Sequence, residues 1–144
     1  MEDRFCLQMV RCGDGCCNEN GNGTSLNEEV LFEGVANAVG VAYKLKKSIT
    51  EYKELIVEYG RLNKGSWVKS YGVIPNVNKV PADMFEKIVH IHYKDSALLR
   101  WFMNWHFTDE LTFSCDYIAK SENSTTLKNV DGEDTALLKI IGIK

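Results

Sequence analysis

His90-x-His92, His106 with Asp109-Glu110 close behind it, and the trio Cys12, Cys16 and Cys17 are the residues whose chemistry could make an enzyme or a metal site. Histidine titrates near neutrality and serves as general acid, general base or metal ligand. On a strand, His90 and His92 share a face and could hold one metal ion. On a helix they point about 200° apart and could not. Adjacent acids such as Asp109-Glu110 suit a helix start, where they cap and meet the dipole. The three cysteines with His90 and His92 match no standard zinc spacing, and the thiols border a glycine-rich loop. That loop, "GDGCCNENGNG" at 13–23, lacks the lysine and the strand–helix setting of a phosphate-binding loop. No Ser/His/Asp or Cys/His order stands out. These residues point away from an enzyme and imply neither metal nor cofactor.

A different residue raises a sharper question. "YKDSALLRWFMNWHF", 93–107, holds one cation, Arg100, within a run of large apolar side chains. Burying an unpaired guanidinium costs several kcal/mol, so Arg100 must reach solvent or meet an acid. On a helix starting at Asp95 or Ser96, Arg100 lies in the first turn and can snorkel outward. A helix that is core on most sides yet open at its start implies a groove there. Such a groove has an apolar floor and one cation, a geometry for receiving an amphipathic helix that carries an acid.

The elements that would position this arginine read as helices. Leu31, Val35, Ala38, Ala42, Leu45, Ile49, Tyr52, Ile56 and Tyr59 follow steps of four and three and form one helical stripe. Ser25 with Glu28, and Ser48 with Glu51, make two possible capping boxes. A break near Lys47 is therefore compatible with the pattern, and Gly34, Gly40 and Gly60 weaken a rigid rod. A coiled coil is the alternative, but the wide apolar face, with Val39, Val41 and Leu55 beside the stripe, suits a globular bundle. "NKGSWVKSYGVIPNVNKVP" reads as a helical turn around 67–71 and a connection. Pro81 then opens a helix with Phe85, Ile88, Val89 and His92 on one face. Residues 97–107 are apolar nearly all round and read as a central helix surrounded by others. The segment "DELTFSCDYIAKS" alternates as a strand does, yet a buried central helix needs covering helices, and it is assigned helix. A last short helix runs from about 134 to 143. The expectation is one all-α domain over 1–144, a bundle of amphipathic helices around a central hydrophobic helix. The alternative is an α+β sandwich with strands at 4–11, 111–119 and 136–143.

Composition narrows the function classes. At 44% hydrophobic and 26% charged residues the chain resembles folded soluble proteins. A net charge of -3 gives no footprint for nucleic acid; Lys44, Lys46 and Lys47 are soon balanced by Glu51, Glu54 and Glu58. No apolar run approaches the roughly 20 residues of a membrane span, and "MEDRFCLQMVRC" is not a secretory signal. Five cysteines without an export signal argue for reduced thiols. The sequons at Asn22 and Asn123 are inert in a cytosolic protein.

"MFEKIVHIHYKDSALLRWFMNWHF" resembles the segment around the first homology motif of the Bcl-2 family of apoptosis regulators. Phe85 matches its leading phenylalanine, and Tyr93-Lys94-Asp95-Ser96 its aromatic–basic–Asp–Gly element. With a one-residue deletion Arg100 matches the motif arginine and Phe107 the closing aromatic. Ala97-Leu98-Leu99 depart from the family's Asn-Trp-Gly. "ANAVGVAYKLKK" is similar to the third motif at Gly40 and Tyr43, with Ala36 and Val41 in place of its leucine and aspartate. The short length and blurred motifs look like viral, poxvirus-type members. The resemblance implies a Bcl-2-like helical fold whose groove captures the BH3-type helix of pro-apoptotic proteins such as Bim, Bax or Bak, inhibiting apoptosis in the cytoplasm of a host cell and reaching mitochondria through those partners. It implies that Arg100 pairs with the ligand's aspartate and that Val39, Tyr43, Tyr52, Ile56, Ile88, His92 and Phe107 line the pockets. The alternative is a self-associating helical interaction protein without a ligand groove. Exposed groove residues predict a homodimer in the free state.

Overall fold

Strand β6, Ala97–Asp109, shows why the chain folds as it does. Trp101, Met103, Trp105 and Phe107 are buried, while Phe102, Asn104 and His106 between them are only half-buried. A period of two puts alternate residues on opposite faces of a sheet. The central segment is therefore a strand with one face in the core, and its other face, although partly apolar, lies outside.

The computed structural model describes residues 27–94, 96–122, 128–129 and 134–144. Among the described residues there are nine strands, one short 3-10 turn at Ile49–Glu51, and no α-helix. The strands are β1 Glu28–Ala36, β2 Ala42–Lys44, β3 Glu54–Asn63, β4 Ser66–Pro75, β5 Phe85–Lys94, β6, β7 Thr112–Glu122, β8 Lys128–Asn129 and β9 Thr135–Ile143. They form two antiparallel sheets, one in the order β1-β9-β3-β4 and the other β2-β7-β6-β5 with β8 also on β7. The architecture is a β-sandwich. It overturns the expected all-α, Bcl-2-like helical bundle and its central hydrophobic helix.

Local chemistry explains several strands that looked helical. Asn63 pairs with Ser66 across a two-residue turn in which Lys64 and Gly65 have φ of 51° and 83°. Two left-handed residues match the twist of a tight hairpin, so 54–75 is a hairpin, and the supposed helical turn at 67–71 is the middle of β4. Ser96, with φ 64°, sits in the equally short link where Lys94 pairs with Ala97. At Asp109 the side-chain Oδ1 accepts the Leu111 N–H at 2.7 Å, turning β6 into β7. The nine-residue stripe is cut into β1, β2, the 3-10 turn and β3; within it Val35 and Ala42 are exposed. Val57 between Leu55 and Tyr59 shows the period that prevails: all three are buried. The alternative strands at 111–119 and 136–143 overlap β7 and β9, although the helices of an α+β fold are not present among the described residues. The Ser25 cap, the 13–23 loop, the Cys12, Cys16 and Cys17 cluster and the strand at 4–11 lie outside the described residues.

The core fills the space between the sheets. Leu55, Val57, Tyr59, Leu137 and Ile140 face Val89, Trp101, Met103, Trp105, Phe113 and Ile118. Phe32, Tyr43, Phe85 and Phe107 extend an aromatic cluster around Trp105 and Phe113, with ring centroids 4.8–6.0 Å apart. Each such buried side chain contributes about 1.5–3 kcal/mol. The Trp105 indole N–H donates to the Tyr59 hydroxyl at 3.0 Å and ties one sheet to the other. Along one side of the sandwich, Ser70 Oγ donates to the Val89 carbonyl at 2.9 Å and Lys87 Nζ to the Tyr71 carbonyl at 2.8 Å. These bonds occupy parts of the β4 and β5 edges that another strand could otherwise pair with.

Candidate functional site

Burial of one face of β6 leaves the other to be explained. Its outward residues Arg100, Phe102 and Asn104 pair with Ile91, Ile88 and Glu86 on β5. On the opposite flank they pair with Ser121, Ala119 and Tyr117 on β7. A bulge at Val89 makes Val89 and His90 both turn toward the core, so that Ile88 and Ile91 both stay outside. The consequence is an apolar stripe on an edge strand: Ile88 is 47% exposed, Ile91 53% and Tyr93 70%. Phe102 and Tyr117 continue it inward, flanking a shallow open depression of about 640 Å³ that Glu86 and Asn104 also line. Arg100 lies in this face, its Nε–H donating to Ser121 Oγ at 3.2 Å and its guanidinium carbon 5.5 Å from the Phe102 ring centre.

The residues expected to line one groove are dispersed. Ile88 and Arg100 fall on neighbouring rows of this outer face. Ile56 is on β3 in the other sheet, half-buried. Phe107 is 4% exposed, inside the core. Tyr43 stacks on Phe113, and its hydroxyl accepts the Asn37 and Ala38 backbone N–H groups. Tyr52 is buried beside the 3-10 turn, donating to Glu29 at 2.7 Å. Val39 is exposed and bridges to Cys115. His92 is exposed on β5, its ring stacked 6.2 Å from that of His90. A groove for a BH3-type helix is walled by helices, and the apoptosis-inhibitor function and its helical alternative are overturned with the all-α fold. Arg100 solves its solvation problem differently from a residue in a helix's first turn: it stands on the outward side of a strand. Ile91 and Tyr117 have no place in the earlier groove. The alternation Arg100, Phe102, Asn104, His106 against Trp101, Met103, Trp105, Phe107 is the signal in the sequence that could have found this face.

Reactive groups are held quietly. His106 Nδ1–H donates to Asp116 at 2.7 Å on this same outer side, which orients the ring as a base is oriented. No serine, threonine or cysteine among the described residues hydrogen-bonds His106. Cys115 is buried against the Ala36 carbonyl, and burial pushes its thiol up to about 12, the opposite of an activated thiolate. Among the described residues no group of three or more His, Cys, Asp or Glu is placed to hold a metal.

A scan against protein-family models and searches of curated proteins and of solved structures return no match, and nothing in them identifies a Bcl-2 family member.

Proposed function

We propose that this chain is a protein-binding β-sandwich module without enzymatic activity that pairs with a second copy of itself through the outer face of β5, β6 and β7. The observation that carries the reading is the exposed stripe Ile88, Ile91 and Tyr93, continuous with Phe102 and Tyr117. Contiguous apolar surface of this kind marks association sites. The face spans three strands and five same-face rows, within which Ala119 and Ser121 on β7 are already buried. With strands about 4.8 Å apart and rows about 6.8 Å apart it measures on the order of 15 by 30 Å, roughly 450 Å² in projection, which is smaller than the roughly 800 Å² that each side of a standard interface buries and fits a weak association.

Charge placement favours a like partner. Arg100 and Glu86 lie on opposite sides of the row that pairs Ile88 with Phe102. A two-fold axis along that row reverses the strands of the second copy and sets each Arg100 over the other copy's Asn104 and Glu86. A guanidinium has five donors, so it serves more than one acceptor. Sedimentation or light scattering from about 5 to about 500 μM, the range of weak to moderate self-affinity, tests the reading. The expected result is a monomer–dimer equilibrium in the native chain, and monomer throughout for Ile88→Asp/Ile91→Asp with unchanged circular dichroism. A native chain that stays monomeric over the whole range, or a variant that dimerises equally well, overturns it.

A further inference from the structure

The inward side of β6 carries an arrangement that the core does not require. His90, Trp101 and Lys120 form one cross-strand row over β5, β6 and β7. Arg61 reaches across from β3 and lays its guanidinium carbon 4.1 Å from the Trp101 ring centre, while Lys120 Nζ lies 5.4 Å from the same centre. The His90 ring is 5.4 Å from that indole, and His92 stacks behind His90. Trp101 is only 1% exposed; His90 and Lys120 stand on its two flanks, from β5 and β7, and Arg61 comes to it from the opposite sheet.

Among the described residues the nearby carboxylate does not pair with them directly. Asp134 accepts the Trp101 indole N–H at 3.2 Å and the Thr135 hydroxyl at 3.3 Å, both neutral donors. Among the described residues neither Arg61 nor Lys120 has a carboxylate within 4.0 Å. Arg61 Nε is buried with no hydrogen-bond acceptor among the described residues. A buried charged donor left unmatched is costly, and a cation–π contact returns only about 0.5–2 kcal/mol of that. The two charge centres are at most about 9.5 Å apart, since they share one ring centre, within reach of one tetrahedral ion given the flexible lysine stem.

We infer that Arg61 and Lys120, both in contact with the Trp101 ring, bind an oxyanion of the phosphate type, with His90 on the other flank of the indole adding to the local positive charge and His92 supporting His90. Such an ion offers several acceptors at once, to the fork of Arg61 and to the point charge of Lys120. The His90 ring faces Arg61, His92, Trp101 and, through the indole, Asp134. Burial first, then the positive charges of Arg61 and His92, hold its pKa below the usual value. A bound anion opposes the latter effect and raises it.

The test uses the full chain at constant ionic strength, with chloride replaced by inorganic phosphate, sulfate or phenyl phosphate. Melting temperature and the His90 imidazole shift are followed by calorimetry and nuclear magnetic resonance. The expected result is a saturable rise in melting temperature with phosphate and an upward move of the His90 titration. Lys120→Gln and His90→Gln should each weaken phosphate binding by about tenfold, the scale of one charge-assisted hydrogen bond. Equal binding of phenyl phosphate supports a site that accepts phosphate esters; binding of the inorganic ion alone supports a free-ion site. Absence of saturation beyond chloride, or the same response in Lys120→Gln, overturns the assignment. Arg61→Gln is read only if its circular dichroism matches the native chain, and Lys120→Gln carries the conclusion otherwise.

Discussion

Replacing Tyr59 by phenylalanine tests the closure of the sandwich. The Tyr59 hydroxyl comes from β3, and the Trp105 indole N–H that it accepts at 3.0 Å comes from β6 in the opposite sheet. Trp105 is fully buried and Tyr59 4% exposed. Burial pushes the Tyr59 hydroxyl up to about 12, so it is a neutral partner throughout the working pH range. Tyr59→Phe keeps the ring and its packing but strands the indole donor away from water. An unsatisfied buried donor costs about 1–3 kcal/mol, and for a chain of this size each kcal/mol lowers the melting temperature by roughly 3–5 °C. A fall of about 3–15 °C follows, centred near 8 °C, with an unchanged denaturant slope because the same surface is exposed on unfolding. Urea titration followed by far-ultraviolet circular dichroism supplies the measurement. Tyr71→Phe is the control: that ring is 56% exposed, and the buried Glu58 to which it donates at 3.1 Å keeps its ion pair with Lys69 at 3.3 Å, so the loss should stay at about 0.5–1 kcal/mol. If Tyr59→Phe is as mild as Tyr71→Phe, the two sheets do not meet through this bond and the packing of the sandwich is wrong.

Two further outcomes follow from named contacts. A Cβ on Gly142 would sit 2.5–2.7 Å from Cδ1, Cγ and Cε1 of the Tyr52 ring, and that ring is held by its bond to Glu29. Gly142→Ala should therefore cost about 1–3 kcal/mol by overpacking, read from the urea midpoint. His90 has a folded pKa below its unfolded value, which is near 6.5. Between the two the unfolded chain binds more protons, so stability rises with pH. The contribution is complete above about 6.5 and is lost as pH falls through the folded pKa. Urea midpoints in low-phosphate buffer should decline across that acidic window less steeply in His90→Gln than in the native chain.

Several features of the fold were visible in the residues but outweighed by a longer pattern. Leu111, Phe113, Cys115 and Tyr117 alternate, and 111–119 and 136–143 could be read as strands. A run as apolar on every side as 97–107 favours a helix covered by other helices. The register explains the error: a strand with an aromatic core face and an outer face bearing Phe102 also looks apolar all round. The Leu31–Tyr59 stripe misled for another reason. Strands separated by short turns can place apolar residues at helical intervals without sharing a helix, and Gly40, with φ 80°, turns the chain in the middle of the stripe. Of the candidate site, Ile88 and Arg100 were singled out, though for another geometry. Ile91 was missed because the bulge at Val89, which shifts it outward, depends on pairing with β6.

Read alone, the chain determined that Arg100 needs an acceptor or solvent and that residues 97–107 are rich in large core-forming side chains. Those properties belong to single side chains or to neighbours along the backbone. Tertiary structure decided that 97–107 is extended, that its Trp101, Met103, Trp105 and Phe107 side faces the other sheet, and that Arg61, His90 and Lys120 converge on one indole. An apolar run can satisfy its backbone as a helix, within itself, or as a strand, with β5 and β7. The strand's hydrogen bonds and the face it buries depend on residues distant in sequence, and no local period specifies them.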